Sequence, residues 1–132
     1  PKPSYRAFQL LHWAGSERLK VVQNSNDGPC SKTVSAVALR NTTHFSVFVI
    51  NTGPLPLNAT GWIDNVTDTV TDCNVTLGVP AQTAITTRID THHANPKAAW
   101  TAMGSPKYLT KDQINRLETA SELQMEPTRI EG

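Results

Sequence analysis

The stretch 88-RIDTHHANPKAAWTAMGSPKYLTKDQINRLETASEL-123 contains the clearest secondary-structure signals in this chain. Asn95 can cap the N-terminus of a helix, and Pro96 fits the first helical position because its missing N–H would have no partner there. Gly104 can adopt the left-handed conformation that ends a helix, and Pro106 prevents the helix from continuing. These positions predict a short helix between residues 95 and 104.

The same stretch predicts a second helix. Thr110 and Gln113 have the spacing of a capping box, in which each side chain bonds to the other residue's backbone N–H. Ile114, Leu117 and Ala120 then recur at helical intervals. The chain is therefore predicted to end in a two-helix tail.

Residues upstream of this tail favour β-structure. Ser4 is a plausible N-cap for one amphipathic helix that ends at Gly15. Runs rich in β-branched residues then predict strands at 19–23, 33–40, 44–51, 69–77 and 82–90, with a loop at 24–31. Apolar side chains on both faces of 44–51 indicate a strand covered on both faces. The predicted fold class is mainly β, an antiparallel β-sandwich between an N-terminal helix and the helical tail.

The composition limits the class of function. The chain has 132 residues and a formal net charge of +1, which argues against nucleic acid as a partner. No apolar run is long enough to span a membrane. Residues 41–87 contain no Lys or Arg, and their only acidic residues are Asp64, Asp68 and Asp72. Such a nearly uncharged, Thr-rich surface is predicted to be covered.

Four N-glycosylation acceptor patterns lie in this nearly uncharged region, and glycans attached to them would cover it. They begin at Asn41, Asn58, Asn65 and Asn74. We therefore predict glycans and a secreted or lysosomal protein. In that setting Cys30 and Cys73 are interpreted as one disulfide, with two unrelated buried thiols as the alternative.

The N-terminus, Pro1-Lys2-Pro3, has neither a Met nor a signal peptide. A glycosylated chain needs such a signal, so the sequence is predicted to be a piece of a longer precursor. The N-terminal helix is accordingly interpreted as the last helix of a preceding domain.

No residue of this chain is predicted to be catalytic or to bind a cofactor or metal. The five Glu residues show no pairing of the kind that glycoside hydrolysis needs. His92 and His93 are adjacent and would point to opposite faces, so they chelate badly. Trp13 and Trp100 have the spacing of core residues, which leaves Trp62 as the candidate for an exposed sugar-stacking side chain. Core packing is the favoured interpretation of Trp62 as well.

Two segments resemble glycoside hydrolase family 39, the family of β-xylosidases and α-L-iduronidases. PKPSYRAFQLLHWAGSERL at 1–19 is similar to the KPxYRAFxLLHxxGxERL run that closes the last helix of the family's catalytic barrel. Residues 88–123 resemble the pattern RIDxxHANPxxAWxxMGSPxYPTxxQIxxLxxASEL at the exit from its β-sandwich. The chain departs from this pattern at Leu109, where Pro is common, and at Thr91-His92, where acidic residues often lie.

The resemblance implies a division of the chain into 1–16, the last helix of a (β/α)8 barrel; 17–91, the β-sandwich; and 92–132, a helical extension. It also implies that both catalytic Glu residues lie upstream. We expect a non-catalytic portion of a retaining glycosidase, partnered by that upstream barrel and meeting carbohydrate only through it. A second copy of the chain, in a homo-oligomer, is kept as a further candidate partner. The alternatives are a free-standing carbohydrate-binding or adhesion module and a structural domain with accidental acceptor patterns.

Overall fold

The computed structural model describes residues 1–24, 29–52 and 70–130. The chain forms two compact units: the terminal unit, Pro1–Trp13 with Leu77–Gly132, and the central unit, Ala14–Thr76. In chain order the described elements are α1 (Pro3–Trp13), β1 (Glu17–Leu19), α2 (Pro29–Thr33), β2 (Val34–Arg40), β3 (Phe45–Asn51), β4 (Ala84–Thr87), α3 (Pro96–Ala102), α4 (Lys111–Ala120) and β5 (Met125–Thr128).

The central unit contains a three-stranded antiparallel sheet in the order β1-β2-β3. β2 and β3 pair along their whole lengths, from Val34 opposite Asn51 to Arg40 opposite Phe45. β1 pairs with the end of β2, where Glu17 lies opposite Arg40. The two longer strands lie inside the predicted runs 33–40 and 44–51, because β-branched and aromatic side chains favour the pleated backbone.

Two predictions about these strands are wrong in detail. β1 begins before the predicted run 19–23 and ends at Leu19, and Val22 is 74% exposed. β3 is not covered on both faces, since Phe45, Val49 and Ile50 are all exposed. The pattern of apolar residues in a strand shows which of its faces are hydrophobic, but it does not show whether another element packs on those faces.

A disulfide joins Cys30 in α2 to Cys73, with the two Cα atoms 5.9 Å apart. The predicted bridge is thus present, although α2 is a short helix in a segment predicted to be a loop. Residues 70–77 were predicted to continue a strand but form none. Their alternation predicts an extended backbone without supplying a pairing partner. Instead, the disulfide and a 3.4 Å hydrogen bond from Asn51 Nδ2 to Thr71 Oγ1 hold this segment.

The terminal unit contains a two-stranded antiparallel sheet, β4 with β5, in which Thr87 lies opposite Met125 and Ala84 opposite Thr128. β4 lies inside the predicted strand 82–90. β5 was not predicted, because its sequence MEPT lacks alternation and contains Pro127. The helical extension 92–132 therefore includes a strand that returns to the sheet.

Both tail helices form with the predicted caps. Asn95 Oδ1 accepts from the backbone N–H of Lys97 at 3.2 Å, and Gly104 has a φ of 82°. In the capping box of α4, Thr110 Oγ1 accepts from Gln113 N at 3.3 Å and Gln113 Oε1 accepts from Thr110 N at 2.9 Å. These bonds satisfy backbone donors that the first helical turn leaves unpaired.

Few hydrophobic side chains among the described residues are buried: Ala14, Val34 and Ala94. None of the described helices is both long and apolar enough to cross a membrane. The structure shows two small antiparallel sheets, one in each unit. In the sequence α1 precedes both sheets, α2 lies between β1 and β2, and α3 and α4 lie between β4 and β5. A sandwich built from these sheets stays a prediction.

Candidate functional site

Helix α1 turns an apolar face to solvent. Tyr5, Phe8 and Leu11 recur every three residues and are 56%, 72% and 48% exposed. The half-buried positions on the helix include the polar Arg6 and Gln9. A surface helix of an ordinary globular domain buries its apolar stripe, so this orientation is the reverse of the expected one. We call Tyr5, Phe8 and Leu11 the α1 apolar face.

Arg6 fixes this orientation within the terminal unit. Its Nε donates a 2.7 Å hydrogen bond to the backbone carbonyl of Ser121, and its Nη1 donates to Gln9 Oε1 at 2.8 Å. Ser121 is fully buried at the end of α4, where its hydroxyl donates to the carbonyl of Glu118 at 2.7 Å. A guanidinium at a helix C-terminus is favourable because it meets unpaired carbonyls and the negative end of the helix dipole. The charged side of α1 is thereby held inward.

The turn before α3 is organised by the carboxylate of Asp90. Its Oδ1 accepts from the backbone N–H groups of His92 and His93, each at 2.8 Å, and lies 2.7 Å from His93 Nδ1. Burial acts to raise the pKa of Asp90, but the hydrogen bonds from His92 and His93 outweigh it and lower that pKa. Asn95 Nδ2 donates to the carbonyl of Thr91 at 3.0 Å. The two adjacent histidines thus belong to a hydrogen-bonded turn.

An open groove of about 400 Å³ lies beside the β1–β2 pair, lined by Ser16, Glu17, Arg40, Asn41 and Thr42. Glu17 Oε1 accepts from Arg40 Nη2 at 2.6 Å, and this hydrogen bond lowers the pKa of Glu17. One ion-paired carboxylate cannot supply both the acid and the nucleophile that glycoside hydrolysis requires. In the described part of the chain, no three His, Cys, Asp or Glu side chains are grouped closely enough to hold a metal ion.

The structure describes some of the predicted site residues and not others. Asn41 and Asn74 are exposed, as glycan acceptors must be. Asn58, Asn65 and Trp62 lie outside the described residues. Glycosylation at all four acceptors stays a prediction.

The two other tryptophans differ from each other. Trp100 is half-buried, and its Nε1 donates to the carbonyl of Pro106 at 3.1 Å. Trp13, predicted to be a core residue, is 46% exposed. The spacing of Trp13 placed it on the same face of the helix as other apolar residues, but it did not show whether that face packs inward.

The contact between Arg6 and Ser121 was not predicted from the sequence. The two residues are 115 positions apart, and no local pattern connects them. Both lie in the segments that resemble the family patterns, which was the only available signal. Their pairing explains why those segments, at opposite ends of the chain, meet in one unit.

Comparisons with known proteins agree with this resemblance. The sequence model of "Glycosyl hydrolases family 39" matches residues 1–132. A "Beta-xylosidase" of Caldicellulosiruptor saccharolyticus is 36% identical over 128 residues, which cover 96% of this chain and 24% of that protein. The chain thus spans about a quarter of its relative's length. No solved structure matches it.

Proposed function

This chain belongs to family 39 of the glycosyl hydrolases, and we propose that it forms a non-catalytic C-terminal portion of such an enzyme. In this proposal an upstream (β/α)8 barrel hydrolyses xyloside- or iduronide-like O-glycosidic bonds, and both catalytic carboxylates belong to the barrel. The described residues of the present chain supply packing surface and structural support. The relative's additional length is consistent with such an upstream portion.

The observation that carries the proposal is the α1 apolar face. Fully burying one large apolar side chain is worth about 1.5–3 kcal/mol. About half or more of Tyr5, Phe8 and Leu11 is still accessible, so covering all three would add roughly 3–5 kcal/mol of favourable free energy. Exposure of this apolar face to water is unfavourable, and we propose that the upstream barrel packs against it. Residues 1–16 then form the barrel's last helix, followed by the sandwich at 17–91 and the extension at 92–132.

The proposal also includes an oxidising compartment. The Cys30–Cys73 disulfide and the four acceptor patterns support a secreted or lysosomal enzyme. Disulfides persist in such compartments and are reduced in the cytosol.

A binding experiment tests the docking surface. The upstream barrel portion is produced separately and titrated with the 132-residue chain or with its Phe8→Asp variant. Placing a carboxylate in the covered face should weaken association roughly 10- to 100-fold, since every 1.4 kcal/mol is a factor of ten. Val22→Asp is the matched control, because Val22 is 74% exposed and lies outside the α1 apolar face. It should bind as the unaltered chain does.

If the Phe8→Asp and Val22→Asp variants bound the barrel portion equally well, α1 would be ruled out as the docking surface. Calorimetry of the chain alone with xylo-oligosaccharides addresses the rival assignment. A free-standing carbohydrate-binding module would bind sugar without the barrel, whereas the supporting role predicts no heat of binding.

A further inference from the structure

Asn41 occupies the exposed turn between β2 and β3. Residues 41–44 connect the two strands, and every one of them is exposed. The turn is closed by a hydrogen bond from Asn41 N to the carbonyl of His44 at 3.1 Å. An enzyme that modifies a side chain needs this kind of access, which a hairpin tip provides.

The Asn41 carboxamide is held in one orientation. Its Oδ1 accepts from Thr43 N at 2.8 Å, from Thr43 Oγ1 at 3.0 Å and from His44 N at 2.9 Å. Its Nδ2 lies 3.3 Å from His44 Nε2. The oxygen is therefore used by the turn, and the nitrogen is on the side away from those three donors.

Substitution at Nδ2 leaves the turn intact. A bond from Nδ2 to a sugar replaces one of its two hydrogens and preserves the carbonyl oxygen as an acceptor. All three hydrogen bonds to Oδ1 are therefore compatible with the modified residue. Nδ2 carries two hydrogens, so a hydrogen bond from one of them to His44 Nε2 leaves the other available for substitution.

The open groove described above adjoins this side chain. Asn41 itself lines the groove, together with the Glu17–Arg40 ion pair and the hydroxyl-bearing Ser16 and Thr42. These groups offer donors and acceptors to sugar hydroxyls.

We propose that Asn41 is an N-glycosylation site of this protein, with its first sugar beside the Glu17–Arg40 pair. In the modification, Nδ2 forms a C–N bond to the anomeric carbon of a sugar carried on a polyprenyl pyrophosphate. The sugar–phosphate C–O bond breaks, the pyrophosphate leaves with the electron pair, and the amide proton passes to a base of the transferase. The proposal does not depend on the supporting role proposed above.

Site-resolved mass spectrometry of the protein, secreted by a eukaryotic host as part of its full precursor, tests this assignment. Enzymatic glycan release in heavy-oxygen water converts a glycosylated asparagine to labelled aspartate. The peptide containing Asn41 should acquire this label. An unlabelled Asn41 in released material would overturn the proposal, whatever the state of Asn74.

Three substitutions, two at Thr43 and one control, provide matched variants. Thr43→Ala removes the hydroxyl that the acceptor pattern requires and should abolish the label, whereas Thr43→Ser should retain it. Ser35→Ala removes an exposed hydroxyl of β2 outside both the pattern and the groove, and should leave the label in place. Loss of label in Ser35→Ala, or its retention in Thr43→Ala, would contradict N-linked modification at this turn.

Discussion

Among the glycines that the structure describes, which are Gly15, Gly78 and Gly104, Gly15 is predicted to be the least able to accept a side chain. Its φ of +99° is in the region that L-residues rarely adopt. A Cβ added there would lie 2.5 Å from both the carbonyl carbon and the carbonyl oxygen of Arg40, and 2.8 Å from Asn41 N. Since these are backbone atoms at the end of β2, the clash cannot be relieved by rotating a side chain.

The expected cost of Gly15→Ala has two parts. A left-handed conformation costs a non-glycine residue roughly 1–2 kcal/mol. Forcing apart a packed backbone contact adds about 1–3 kcal/mol. The free energy of unfolding should therefore fall by roughly 2–5 kcal/mol, a large share of the 5–15 kcal/mol typical of a folded domain.

Two other glycines separate these contributions. Gly104 also has a positive φ, +82°, but nothing lies within 4 Å of its added Cβ, so Gly104→Ala should show only the backbone part, roughly 1–2 kcal/mol. Gly78 has open space and a φ outside the left-handed region. Gly78→Ala should be neutral or stabilise by about 0.4–1 kcal/mol, because it reduces the entropy of the unfolded chain.

Urea unfolding of the 132-residue chain, followed by far-UV circular dichroism, measures the three variants together. The predicted order of stability is Gly78→Ala, then Gly104→Ala, then Gly15→Ala. Hydrogen exchange should localise the loss in Gly15→Ala to the amides of β1 and β2. Equal stability of the Gly15→Ala and Gly78→Ala variants would refute the close contact between residue 15 and the end of β2.

Three further perturbations address the Arg6–Ser121 hydrogen bond, the Cys30–Cys73 disulfide and the turn at Asp90. Arg6→Ala leaves the buried carbonyl of Ser121 without its charged donor and should cost about 1.5–3 kcal/mol of unfolding free energy in urea titrations; the exposed Arg18→Ala should change it by less than about 0.5 kcal/mol. Reducing the Cys30–Cys73 bridge, which closes a 43-residue separation, should cost about 2–4 kcal/mol, and an unchanged denaturation midpoint with dithiothreitol would contradict it. The pKa of Asp90 is lowered by folding, so its stabilising contribution is complete above the ordinary carboxyl pKa and is lost as pH falls through the folded pKa. Asp90→Asn should therefore reduce the fall in unfolding free energy that the unaltered chain shows at acid pH, as measured by urea titrations at several pH values. An equally steep fall in the variant would exclude Asp90 as its source.

Local signals in the sequence predicted the elements that are defined locally. The N-cap at Asn95, the left-handed Gly104 and the capping box at Thr110 depend on side chains within three residues of the backbone groups that they satisfy. Such interactions are encoded by short spacings and do not need the rest of the fold. The disulfide was predicted for a different reason, because two cysteines and several acceptor patterns together indicate an oxidising compartment.

Features that depend on distant partners were harder to predict. β5 forms because β4 provides a partner across an intervening stretch of two helices, although its own sequence has little strand propensity. The converse holds at 70–77, where an alternating sequence has no strand pairing among the described residues. The outward direction of the α1 apolar face follows from the contact between Arg6 and Ser121, which no local pattern reveals.

The central claim is that this chain supports a catalytic barrel without supplying catalytic residues, and enzyme activity tests it most directly. Hydrolysis of aryl xylosides and aryl iduronides is measured for the purified chain, for the upstream barrel portion and for the two combined. We predict no turnover by the chain alone and activity in the combined sample. Measurable turnover by the isolated 132-residue chain would contradict the claim.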